Sequence, residues 1–132
     1  MHPEVEQIST DPDPFEAYRI SQAMRVGDLV YTSGQAAIDL QCNLVGVGDF
    51  DAQAEQVFTN LRAVLEAADS GLEKIVKVTI FLTDMSNFPK IVALRERYFS
   101  QPYPADTIVE VRSLALPELE IEIEAIAVSS QS

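Results

Sequence analysis

The stretch Leu119-Glu120-Ile121-Glu122-Ile123-Glu124-Ala125-Ile126-Ala127-Val128 limits the possible folds of this chain more than any other segment. Its first seven residues alternate apolar and acidic with period two. In a strand that period puts Leu119, Ile121 and Ile123 on one face and Glu120, Glu122 and Glu124 on the other. One face therefore belongs to a core. The other stacks three carboxylates, which repel unless water, a cation or a partner subunit answers them, so it is either a solvated surface or a site.

Around this strand the chain has 132 residues, enough for one domain with one core. Residues 1–14 are polar and Pro-rich and read as a flexible lead-in, and residues 15–130 as the domain. Nine Lys and Arg stand against 21 Asp and Glu, a net charge of −12. A phosphate backbone or an anionic membrane would be repelled, so neither nucleic acid nor membrane is an expected partner. No apolar run is long enough to span a bilayer, and the N-terminal residues show no secretory pattern. The single cysteine, Cys42, cannot form an internal disulfide, which suits the cytoplasm. With His2 the only histidine, no Cys–His pair or His-based metal site is expected, which leaves only weak binding of a hard cation by the acidic cluster open.

Residues 17–25 read as a strand. Gly27-Asp28 is a turn signal, and Leu29–Ser33 follows as a second strand. Residues 36–51 read as irregular. From Ala52 the period becomes helical: Ala54, Val57, Phe58, Leu61, Val64, Leu65 and Ala68 form an apolar stripe, and Gln53, Glu55, Arg62 and Glu66 fall on the wet side. Asp51 is the expected N-cap, and Gly71 lies just past the end. Residues 75–82 form a strand with Val76, Val78, Ile80 and Leu82 on one face. A second helix, capped by Asn87, runs from near Pro89 to Tyr98. Residues 107–112 and 119–128 are the last strands. The order β-β-α-β-α-β-β predicts an α+β fold, with two helices packed on one face of a mixed sheet. Glu110, Ile108 and Ile126 are expected beside Glu122 on the opposite face, a mixture that suits a subunit interface as well as bare surface.

Several segments together resemble the RidA (YjgF) family. They are Ser21-Gln22-Ala23, Val26 to Gln35, Asn60-Leu61, Val64 to Ala68, Val76 to Leu82, Pro104-Ala105, Val109-Glu110-Val111 and Ile121 to Ala127. The resemblance covers roughly residues 17–128. It implies a chorismate-mutase-like α+β fold, a homotrimer whose sheets form a central barrel, and small-molecule pockets between subunits. It also implies cofactor-free hydrolysis of reactive enamines and imines to carbonyl compounds and ammonia.

Carried over residue by residue, the resemblance makes Glu122 the group that positions or activates water, with Ser33 and Gly34 bounding the pocket. Other positions depart from the family pattern. Asp106 stands where active members carry an Arg that clamps a substrate carboxylate. Ile20 of Arg19-Ile20 replaces a pocket tyrosine, Val92 a frequent pocket Asn, and Ile108 a Cys or similar residue. Activity toward 2-imino acids is therefore expected to be weak or absent, with a neutral or cationic imine the better fit to Asp106.

Each of these residues also has a plain structural reading. Glu122 is then one tooth of a solvated face, Asp106 a drifted strand-end residue, and Ser33-Gly34 a strand terminator. Arg19 and Arg112 are candidate replacement cations, although Arg112 also suits a salt bridge to a neighbouring Glu. The alternative to an enzyme is a trimer that binds a small ligand or a partner without turnover, and Ile20, Val92 and Ile108 lean that way because each makes the pocket more apolar. Ribonuclease activity, attached to some relatives, is disfavoured by the charge.

Overall fold

The computed structural model describes residues 4–129. His2 and the rest of residues 1–3, and residue 130 at the expected domain end, lie outside the described residues. The elements run β1 (Val5–Ile8), β2 (Ala23–Val26), β3 (Leu29–Thr32), α1 (Phe50–Ala67), β4 (Ile75–Leu82), α2 (Phe88–Tyr98), β5 (Ala105–Glu110) and β6 (Ile121–Val128). The strands form one sheet in the order β1-β2-β3-β6-β4-β5. Among the described residues only β4 and β5 pair in parallel, joined through α2. The mixed α+β architecture is therefore the expected one, with one strand more than the sequence reading counts.

That extra strand, β1, lies within the segment read as a lead-in. Its residues 5–7 are exposed and only Ile8 is buried, so it carries almost no apolar pattern. Its antiparallel pairing with β2 supplies what its side chains do not. The expected strand over 17–25 is shortened to β2. Residues 16–18 form a turn of 3-10 helix, and Arg19 closes it in the left-handed region at φ 62°.

Register assigns the faces. Val78, Ile80 and Leu82 of β4 pair with Ala125, Ile123 and Ile121 of β6, and all six are buried under the helices. The stripe of α1 packs onto this face, and Ile91 of α2 joins the same core. Phe58 of α1 stacks on Tyr98 of α2 with ring centroids 4.1 Å apart. Both helices therefore cover one face. The register shifts between Ile75 and Lys77, which turns Val76 out to solvent instead of into the apolar face expected for it.

The parallel pairing corrects a second expectation. Asp106, Ile108 and Glu110 pair with Val78, Ile80 and Leu82, so they share the helix side of the sheet and not the Glu122 face. Ile108 packs against the core, and Glu110 accepts the Met85 N–H at 2.9 Å. The strand also begins at Ala105 and ends at Glu110, earlier than expected.

Two local readings of α1 change as well. Its N-cap is Asp49, whose carboxylate accepts the Ala52 N–H at 3.1 Å; Asp51 sits inside the first turn. Gln53, expected on the wet side, is buried. Its side-chain amide donates to the Glu118 carbonyl at 2.9 Å and accepts the Glu120 N–H at 2.8 Å, bonding α1 to the lead into β6. A polar residue in that position satisfies backbone groups that an apolar one would leave stranded. At α2, Asn87 occupies the N-cap position, but its side chain makes no capping bond.

Candidate functional site

Glu122 sits on the sheet face away from the helices, opposite Phe81 in the register and half-buried. Beyond the end of β3, Gln35 exchanges two backbone hydrogen bonds with Ile123, at 2.8 and 3.0 Å. That bridge brings the Ser33-Gly34 backbone beside the Glu122 side chain. A Cβ on Gly34 would stand 2.6 Å from the Glu122 carboxyl carbon, closer than atoms can pack, so glycine is what lets the carboxylate lie against the backbone here. Ser33 is held from both sides: its hydroxyl donates to the Ser21 carbonyl at 2.6 Å, and its own carbonyl accepts from the Gln35 amide at 3.0 Å. Ser33, Gly34 and Glu122 thus form one group.

Burial raises the Glu122 carboxyl above its ordinary value, and the charge of neighbouring Glu124 adds to the effect. A carboxyl raised in this way adds to stability below the ordinary Glu range and loses that contribution as pH rises through its folded-state value. Glu122→Gln should therefore raise the urea midpoint at neutral pH, and the gain should fade as pH falls through the raised folded-state value and be gone below the ordinary Glu range. An equal midpoint at neutral pH would mean that Glu122 ionises freely.

The other site residues lie elsewhere on the chain. Ile20 is exposed and lines a cleft of about 730 Å³ with Gln7, Thr10, Asp13 and Arg19. Val92 and Asp106 line a separate groove of about 430 Å³ between α2 and β5, with Arg95, Glu96, Phe99, Tyr103 and Pro104. There the Arg95 guanidinium grips Asp106 with both ends of its fork: Nε donates to Oδ2 at 2.9 Å and Nη2 to Oδ1 at 3.0 Å. The Arg95 guanidinium also lies 5.8 Å from the Phe88 ring centroid. This partner of Asp106 is absent from the sequence reading, because nothing in a sequence singles out an Arg eleven residues upstream on a helix. Arg19 and Arg112 are both exposed, and neither forms an ion pair among the described residues. Cys42 is exposed in a loop. Among the described residues no group of three or more His, Cys, Asp or Glu could hold a metal ion, and no helix is long and apolar enough to cross a membrane.

These features define a class: an α+β fold with two helices on one side of a six-stranded mixed sheet, and a carboxylate set against a glycine on the other. Comparison with known proteins makes the class specific. Residues 9–129 match the family described as endoribonuclease L-PSP. A RutC family protein of Sinorhizobium fredii is 42% identical over 123 residues, covering 92% of this chain and 96% of its own length. The 2-iminobutanoate/2-iminopropanoate deaminase of Dermatophagoides farinae is 38% identical over 117 residues, covering 89% of each. The crystal structure of RidA from the Antarctic bacterium Psychrobacter sp. matches with a TM-score of 0.84 at 40% identity, covering 93% of this chain and 98% of that one. The chain belongs to the endoribonuclease L-PSP family, the YjgF/RidA/RutC group.

Proposed function

We propose that this chain is a cytoplasmic enamine/imine deaminase whose substrates lack the carboxylate of a 2-imino acid. The observation that carries the reading is the Glu122 carboxylate held against Gly34 with its proton affinity raised, in a family that includes a 2-iminobutanoate/2-iminopropanoate deaminase. In the reaction Glu122 takes a proton from water as the oxygen attacks the C=N carbon. The proton passes to nitrogen, and the tetrahedral adduct collapses to a carbonyl compound and ammonia. Ser33 and Gly34 bound the pocket, and no metal or cofactor takes part.

The working unit in this reading is a homotrimer with its pockets between subunits. Two observations support it. The Glu122 group and the Val92–Asp106 groove lie on opposite sides of one sheet, and Asp106 is on the edge strand, so uniting them takes two chains. The face away from the helices also exposes Val5, Leu29, Tyr31, Val109 and Val128, an apolar share that suits coverage by another copy. One observation favours the rival reading, a binding trimer without turnover: Arg95 is already paired with Asp106 and the other charge lining the groove is the Glu96 carboxylate, so the groove offers no unpaired cation to orient an imino acid.

The test is ammonia release from freshly generated imines. Flavin amine oxidases supply imines without a carboxylate, and amino-acid oxidases supply those of leucine, methionine, lysine and arginine. Turnover of the first group, with little on the second or on 2-iminobutanoate, is the expected profile. Rapid hydrolysis of 2-iminobutanoate would overturn the assigned preference. Silence on every imine would shift the weight to the binding protein.

A further inference from the structure

We infer that Asp106 masks Arg95, and that this closed pair sets the groove between α2 and β5 to accept an uncharged ligand with an apolar body and to refuse carboxylates. The inference rests on the reading of that groove as the ligand site and names its specificity element.

Arg95 and Asp106 are partly buried, with side chains 25% and 17% exposed. A bidentate Arg–carboxylate pair is the strongest geometry available to these groups, and partial burial protects it from screening. Its net charge is zero. An incoming carboxylate would meet the attraction of Arg95 and the repulsion of Asp106 at almost the same distance, so the two largely cancel, and the Glu96 carboxylate that also lines the groove adds repulsion. To capture the guanidinium it would have to displace Asp106, stranding that carboxylate in a half-buried position.

Hydrogen bonding to a neutral group survives the pairing. Asp106 uses two of the five N–H donors of Arg95, and no other acceptor is bonded to the guanidinium among the described residues. A neutral carbonyl, hydroxyl or imine nitrogen can accept from those that remain. Val92, Phe99, Tyr103 and Pro104 supply the apolar wall, and about 430 Å³ suits a small molecule. The charge of the groove is thus held in reserve: removing Asp106 should expose a cation that is already in place.

The experiment compares two probes that differ only in the carboxylate, 4-phenyl-2-butanone and 4-phenyl-2-oxobutanoate, by titration calorimetry on the intact protein. The wild type should bind the ketone at least about tenfold more tightly than the oxo acid. Asp106→Asn should raise oxo-acid affinity by about tenfold or more and so erase the ketone preference, and Arg95→Gln/Asp106→Asn should abolish the gain. Circular dichroism screens the variants for folding, and the wild-type comparison stands without them. Equal or better binding of the oxo acid by the wild type overturns the inference. So does binding of neither probe, or an Asp106→Asn gain that survives loss of Arg95. Ammonia release is read separately. The expected selectivity with no turnover would remove the deaminase and leave the masked arginine, whereas turnover with the wrong selectivity would do the reverse.

Discussion

Replacing Glu122 by glutamine is expected to lower turnover of the best imine substrate by about 10²- to 10⁴-fold, the range for loss of a positioned general base. KM should change little, because the amide keeps the size of the side chain and the groove contacts lie on other residues. The acidic limb of kcat/KM against pH should follow Glu122 and disappear in the variant. Gly34→Ala tests the same group from the backbone side. Its methyl would occupy the space of the Glu122 carboxylate, and the obstacle is the end of a flexible side chain, so the fold should tolerate it. The carboxylate should swing toward water, and NMR titration should then find Glu122 ionising closer to its ordinary value, with turnover reduced alongside. Full activity in Glu122→Gln would leave this carboxylate as one member of a solvated acidic face.

The parts of this fold visible in the sequence are those in which one segment carries its own period. The alternation before Val128 marks β6 and its buried face, and the stripe from Ala54 to Leu65 marks α1. What the sequence conceals are relations between segments. Parity within β5 groups Asp106, Ile108 and Glu110, but only the pairing of Ile108 with Ile80 puts them on the helix side, away from Glu122. Gln53 looks like a surface residue because its reason for burial is the backbone at Glu118 and Glu120, some 65 residues on. β1 escapes because an edge strand whose one buried residue is Ile8 has no period to read. The same applies to the site. Glu122 and Gly34 carry a family resemblance, whereas the Arg95 grip on Asp106 is a tertiary fact, and it turns Asp106 from an apparently unmatched anion into half of a neutral pair.

The largest expected loss of stability comes from stranding Arg25, a cation only 7% exposed on the helix side of β2. Its guanidinium donates to the Ala68 carbonyl at the end of α1, at 3.1 Å, and to the Ser129 hydroxyl just past β6, at 3.2 Å. It pairs with Glu6 of β1 and lies 3.7 Å from Asp69. One side chain thus fastens β1, β2, the end of α1 and the end of β6. Which change is worse follows from what is left behind. Arg25→Met removes the charge and keeps the stem. The abandoned acids, with side chains 55% and 67% exposed, are solvated, so the cost is about 1.5–3 kcal/mol for the lost charged hydrogen bonds. Glu6→Gln/Asp69→Asn keeps the buried cation and removes both of its counter-charges, which is expected to cost about 3–5 kcal/mol. Urea unfolding at neutral pH, at a fixed protein concentration, reads both. Asp69 is in the left-handed region at φ 57°, which Asn tolerates, so backbone strain does not confound the comparison. A double acid variant no less stable than Arg25→Met would mean that the Ala68 and Ser129 oxygens suffice for the guanidinium, and that the ion pairs add nothing to the junction.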